Sequence, residues 1–252
     1  MGQYTQDGEW NFKMFMLSLW KSRRKDKDSP TPVQEEPRQY LEDTLVAESI
    51  AAKVDFEKLV RIPVNIDRNE WLATNTISFF EHINLMYGTI SEYCTPAGCN
   101  SMTGPGGTQY LWFDEKGKKC KCAAPQYVDF VMTFIQKTIS EESVFPTKYG
   151  NPFPSSFEVL VKKIHRYLFH VLAHIYHAHY KEMVTFGIHG HLNTVFKHFM
   201  TMNKEFKLID EKETDILDSL CRSLEVTEKL ADRDQTEDKE NIQGATAATA
   251  VS

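Results

Sequence analysis

The stretch that decides the fold runs from Pro154 to Tyr180, PSSFEVLVKKIHRYLFHVLAHIYHAHY. Pro154-Ser155-Ser156 is a helix-opening signal. After it Val161, Ile164, Leu168, Val171, Leu172 and Ile175 recur at helical spacing, so they line the buried face of one long helix. The helix ends in a knot of histidines. His170, His174 and His177 share a face, at i, i+4 and i+7. His174 and His179 are five residues apart, about 140° around an ideal helix. That second pair meets one ion only if the helix ends or unwinds between them.

Upstream stand Cys94 and Cys99, with four residues between them. Two short-spaced cysteines and two of these histidines can supply the four ligands of a tetrahedral zinc, and spacing alone does not choose which two histidines. More than seventy residues separate the cysteines from the histidines. A DNA-reading finger places its histidines about a dozen residues after its cysteines, so a metal here would instead tie two distant parts of one domain together. Two thiolates with two imidazoles form a closed shell without a place for water, which favours a structural ion over a catalytic one. The rival class is a zinc-dependent hydrolase, which on a helix would often carry His-Glu-x-x-His. That motif does not occur in the sequence, and Ile175, Tyr176 and Ala178 among the last histidines offer no suitable base. Cys120 and Cys122 alternate along a strand, and burial or chance accounts for them.

The remaining apolar periodicity is also helical. Asp67 and Glu70 have capping-box spacing, followed by Leu72, Thr76, Phe79, Ile83 and Met86 up to about Gly88. Pro125 opens another helix with Tyr127, Val131, Phe134 and Ile135 on its apolar side. Two more are expected from about His191 to Phe206 and from Glu211 to about Leu230. Thr108–Phe113 and Lys118–Cys122, joined through Gly117, predict a hairpin with a left-handed glycine. The expectation is an all-α fold, a helical bundle with a small β-hairpin and a structural zinc site.

Three segments are expected. Residues 1–39 form a flexible arm in which Trp10–Trp20, too short to span a bilayer, precedes a run of basic residues between Lys21 and Lys27. Such an arm can lie on an anionic membrane or dock in a groove; the plainer reading is a solvated basic run. Residues 40–230 form the ordered domain. Residues 231–252 lack aromatics and cannot offset the entropy of ordering. The formal charge of −6 argues against general nucleic-acid binding. An odd number of cysteines and no signal-peptide pattern favour reduced thiols in the cytoplasm or nucleus. Residues 33–70 hold nine acids against five bases, whereas 148–204 hold seven bases against two acids. An acidic flank attracts a basic segment of another protein; solvation alone accounts for most of these charges.

The run NEWLATNTISFFEHINLMYGTISEYC, Asn69 to Cys94, closely resembles the Mob family of kinase co-activators. APQYVDFVM (Ala124–Met132), VFPTKYGNPFP (Val144–Pro154), HVLAHIYHAHYKE (His170–Glu182) and HGHLNTVFKHF (His189–Phe199) extend the likeness over most of the domain. The resemblance implies a non-enzymatic helical bundle and selects Cys94, Cys99, His174 and His179 as zinc ligands. It implies binding to the basic N-terminal regulatory segment of Ndr/Lats-type kinases and a place in Hippo-type signalling. Glu70, Trp71 and His198 match kinase-contacting positions; Glu70 and Trp71 are the expected contacts, with Asp67 and His198 as weaker candidates. The likeness is strongest to the second Mob class. First-class members carry a Lys-Arg-x-x-Arg cluster that holds a phosphothreonine peptide, and Arg166, Tyr167 and His170 stand at its positions here. One fixed cation remains of three, so phosphopeptide binding is expected to be weak, with His170 gaining charge below about pH 6.5. Ile66 stands where first-class members have a kinase-holding acid.

Overall fold

The computed structural model describes residues 38–48, 54–114, 116–148 and 150–224. The expected N-terminal arm up to residue 37 and the tail from 225 onward lie outside them, as do the membrane contact and the disorder assigned to those segments. A 3-10 turn at Gln39–Leu41 leads into the short helices α1 (Asp43–Ala47) and α2 (Phe56–Leu59). Helix α3 (Arg68–Ile90), the hairpin strands β1 (Trp112–Phe113) and β2 (Lys119–Cys120), α4 (Ala124–Ile139) and α5 (Phe157–Ala178) follow. Then come α6 (Tyr180–Thr185), α7 (His189–Phe206) and α8 (Glu211–Thr214), a 3-10 turn at Asp215–Leu217, and helical residues 218–224. Among the described residues the fold is all-α with one two-stranded antiparallel sheet.

Helix α5 is the axis of the bundle. Its most extensive packing is against α3, and every residue from Val171 to Tyr176 is buried. The expected apolar stripe is therefore real but too narrow, because Tyr167, Phe169, Ala173, His174 and Tyr176 are buried as well. From Tyr167 to Tyr176 the helix is enclosed and carries no polar face, whereas Lys162, Lys163 and Arg166 keep one toward solvent in its N-terminal half. Each large side chain so buried contributes about 1.5–3 kcal/mol of transfer free energy. Helix α3 starts as expected, with Asp67 Oδ1 accepting from Asn69 N (2.8 Å) and Glu70 N (3.3 Å). Leu72, Thr76, Phe79, Ile83 and Met86 face the core.

One buried polar network joins three helices. The His165 ring on α5 lies between Thr76 Oγ1 on α3 and Asn203 Oδ1 on α7, each 3.1 Å from a ring nitrogen. It stacks on Phe199 and meets Phe79 edge-on. The neutral ring satisfies both partners when Nδ1–H donates to Asn203 and Nε2 accepts from Thr76. The N-terminal strap is tied down similarly. Asn193 Nδ2 donates to the Leu45 carbonyl (3.1 Å), His189 Nε2 lies 2.6 Å from Glu48 Oε2, and the Tyr40 ring meets Tyr176 and Tyr180 edge-on.

Two expectations need correction. The hairpin keeps its turn, with Gly117 at φ 74°, but pairs only Trp112 with Cys120 and Phe113 with Lys119. The Tyr110 ring instead turns in to stack on His170, and its backbone N–H bonds to the Met102 carbonyl, so this stretch leaves the ladder. The continuous helix expected from Glu211 breaks into α8, a 3-10 turn and a second helical piece.

Candidate functional site

The four ligand candidates converge where three backbone breaks meet. Helix α3 ends at Ile90, and Cys94 sits in the turn beyond it, its N–H bonded to the Ile90 carbonyl (3.2 Å). Cys99 closes the next turn through Thr95, and its carbonyl accepts from Ala124 N at the start of α4 (2.9 Å). The loop is thus held between two helices. His174 lies on the last turns of α5. His179 is the cap after that helix, with φ −133° and ψ 14°, and α6 starts at the next residue. The helix ends where a five-residue histidine pair requires it to, and the two rings come to 5.2 Å between centroids.

Cys94 Sγ lies 3.5 Å from His174 Nε2, and Cys99 Sγ lies 3.5 Å from His179 Nε2. All four ligand atoms lie within 4.8 Å of one another, three of the residues are buried and Cys99 is half-buried. His177 is exposed. Burial pushes the Cys94 thiol up to about 12 and raises Cys99 as well. Burial also drives His174 down to about 4 and lowers His179. Two neutral imidazoles therefore face two thiols that will not ionise without a compensating charge. A divalent cation supplies that charge in exchange for the two protons. Two sulfurs and two imidazole nitrogens make a donor set that can hold a metal ion.

Surrounding groups orient the ligands. His174 Nδ1–H donates to the Thr103 carbonyl (2.8 Å), which leaves Nε2 with its lone pair toward the cluster. This fixes the tautomer as outer-shell partners commonly do. The Tyr87 hydroxyl is hydrogen-bonded with Cys94, and burial followed by that contact raises its pKa. Beside His179, Glu182 Oε2 lies 4.0 Å from Nδ1. A backbone carbonyl such as that of Thr103 leaves no trace in a residue pattern. Glu182, three residues after a candidate ligand, was the readable clue.

The partner-facing candidates sit around the start of α3. Asp67 and Glu70 are exposed, and Asp67 is committed to the cap. The expected reciprocal bond from the Glu70 side chain to the Asp67 N–H is not formed, so the Glu70 carboxylate is free of that duty. Trp71 is half-buried and its Nε1–H donates to the Val60 carbonyl (3.0 Å), pinning the preceding loop to α3. His198 is half-buried against Phe56 and Phe79, and burial drives it down to about 4. Sequence reasoning missed the apolar exposure beside these residues: Leu59, Ile62, Val64 and Ile66 all face solvent, Val64 at 88%.

The structure overturns one expectation about the Arg166–His170 region. His170 is stacked on Tyr110, hydrogen-bonded to the Tyr127 hydroxyl (2.7 Å), and driven by burial to about 3. It stays neutral well below pH 6.5 and supplies no charge to an anion. Tyr167 is buried, and Arg166 pairs with Glu213 at 2.8 Å.

Residues 47–217 match the family model described as the Mob1/phocein family. The chain is 55% identical over 193 residues to MOB kinase activator 2 of Mus musculus, covering 77% of this chain and 81% of that protein. It is 51% identical over 229 residues to MOB kinase activator-like 2 of Drosophila melanogaster, covering 91% of this chain and 38% of that protein. The corresponding Drosophila pseudoobscura protein is 48% identical over 234 residues, covering 93% of this chain and 41% of that protein. The chain thus spans about two fifths of the length of the two Drosophila relatives.

Proposed function

The chain belongs to the Mob1/phocein family, and from that premise we propose that it is a non-catalytic regulatory subunit of protein kinases. Its partner in this reading is the basic N-terminal regulatory segment of an Ndr/Lats-type kinase, bound in the cytoplasm or nucleus. The names of its relatives, MOB kinase activators, support the kinase partnership. The observation that carries the docking site is the start of α3. There the exposed carboxylates of Asp67 and Glu70 stand beside exposed Leu59, Ile62, Val64 and Ile66. Charge next to unpaired apolar surface fits an amphipathic segment with basic residues flanking an apolar stripe. Trp71 holds the loop that carries Val64 and Ile66, so it shapes the surface even where it does not touch the partner.

The metal centre serves this reading as a clamp. The ion we propose is zinc, held by Cys94, Cys99, His174 and His179. When bound it supplies a fixed divalent charge that neutralises two thiolates and links the loop after α3 to the junction of α5 and α6. With four protein donors a tetrahedral ion has no open position for a substrate water.

The test is capture of Ndr- and Lats-type N-terminal segments by the full chain, with kinase activity measured in the presence and absence of the chain. Saturable binding of a basic segment, lost on charge reversal at Glu70, supports the proposal. Failure of every such segment to bind a folded, metal-loaded chain refutes it.

A further inference from the structure

Glu182 has no role in the cluster as a direct ligand, yet its carboxylate is placed as if reserved for one neighbour. It lies on α6, three residues after His179. Its Oε2 atom is buried and has no hydrogen-bond partner. The side chain as a whole is 26% exposed, so the carboxylate could turn toward water but keeps one oxygen inside. A buried carboxylate oxygen without a donor is costly and calls for a physical explanation. The atom it faces is His179 Nδ1, at 4.0 Å. That distance is too long for a hydrogen bond. The other nitrogen of the same ring, Nε2, points at Cys99 Sγ 3.5 Å away. The imidazole thus presents one nitrogen to the four-ligand cluster and the other to Glu182.

The two histidines of the cluster are therefore built alike but are not equally finished. His174 has its outer nitrogen already donating to a backbone carbonyl, that of Thr103, at 2.8 Å. His179 has a carboxylate in the matching position, about one ångström short of hydrogen-bond range. We propose that Glu182 is the positioning residue of the metal centre. It accepts a hydrogen bond from His179 Nδ1–H when His179 Nε2 binds the ion, and so fixes the ring's tautomer and raises its basicity. A neutral carbonyl behind one histidine and an anion behind the other makes His179 the more strongly donating imidazole. The proposal rests on the metal reading of the cluster.

The experiment compares zinc affinity, by competition with a chromogenic chelator, for the full chain, Glu182→Ala and Glu182→Gln. Loss of an outer-shell partner weakens binding by roughly ten- to a hundredfold, and that loss is expected for Glu182→Ala. Glu182→Gln keeps an accepting oxygen and recovers part of it. In the metal-free state Glu182→Ala melts no lower than the parent, because Oε2 has no partner to lose and its burial is itself a cost. In the cobalt-substituted protein its visible absorption shifts with the altered histidine field. Parent-like zinc affinity in Glu182→Ala overturns the assignment, as does a metal-free form that has lost as much stability as the zinc form. A parent chain that takes up no zinc refutes the metal centre itself and Glu182's role with it. A parent that binds one zinc beside an unaffected Glu182→Ala refutes Glu182 alone.

Discussion

Lowering the pH from 7 to 5 should destabilise this domain through His165. The ring is fully enclosed by Thr76, Asn203, Phe79 and Phe199, none of them charged. Burial drives it from its ordinary 6.5 to about 4. The unfolded chain takes up the proton first, so the stabilisation is fully present above pH 6.5 and is lost as pH falls toward 4. At pH 5 the unfolded chain is almost fully protonated at this residue while the folded chain is almost fully neutral. Linkage converts that difference to about 2 kcal/mol for this one residue. The assay is urea unfolding of the parent and of His165→Gln at both pH values. His165→Gln cannot titrate, and any release of metal at pH 5 is common to both proteins. The drop in stability between pH 7 and pH 5 should therefore be smaller in His165→Gln by about 2 kcal/mol. An equal drop in the two proteins refutes the reasoning, because it would mean that the buried ring is not held neutral by the fold.

Removing the ion tests the clamp. Structural zinc contributes about 10 kcal/mol or more where a motif has no other core, and less here, where α3 and α5 supply one. Cys99→Ser or chelation should lower the melting temperature markedly without abolishing the fold, read by circular dichroism with zinc measured by elemental analysis. Phosphothreonine peptides should bind weakly at pH 7 and no better at pH 5, read by calorimetry, since His170 is held neutral to about 3. Tight binding that vanishes in Arg166→Ala would contradict this.

How much could be read from the residues alone varies with the physics involved. Helix α3 was legible because its cap and its apolar repeat agree, and α5 because its repeat is long. The short helices α1, α2 and α6 were not, since four to six residues carry too little periodicity to mark a face. The hairpin was placed correctly but made too long, because tertiary stacking of Tyr110 on His170 outcompeted strand pairing. At the four-ligand cluster, spacing left the histidines open. The resemblance selected the pair His174 and His179, and the break of α5 at His179 shows how a five-residue separation can converge. What stayed invisible depends on the fold: the Thr103 carbonyl, the Tyr87 hydroxyl, and the burial that strips His170 and His198 of charge.

In the proposed complex the acidic start of α3 grips a basic kinase segment, and Glu70→Lys removes that grip. Glu70 is exposed, and its side chain makes no capping bond. A lysine in the first turn costs about 0.3–1 kcal/mol against the helix dipole, so the protein remains folded and keeps its metal. Affinity for the kinase segment should fall roughly tenfold or more at low salt, with the gap to the parent narrowing as salt is raised. A folded Glu70→Lys chain that binds the segment as tightly as the parent at low salt would contradict the account.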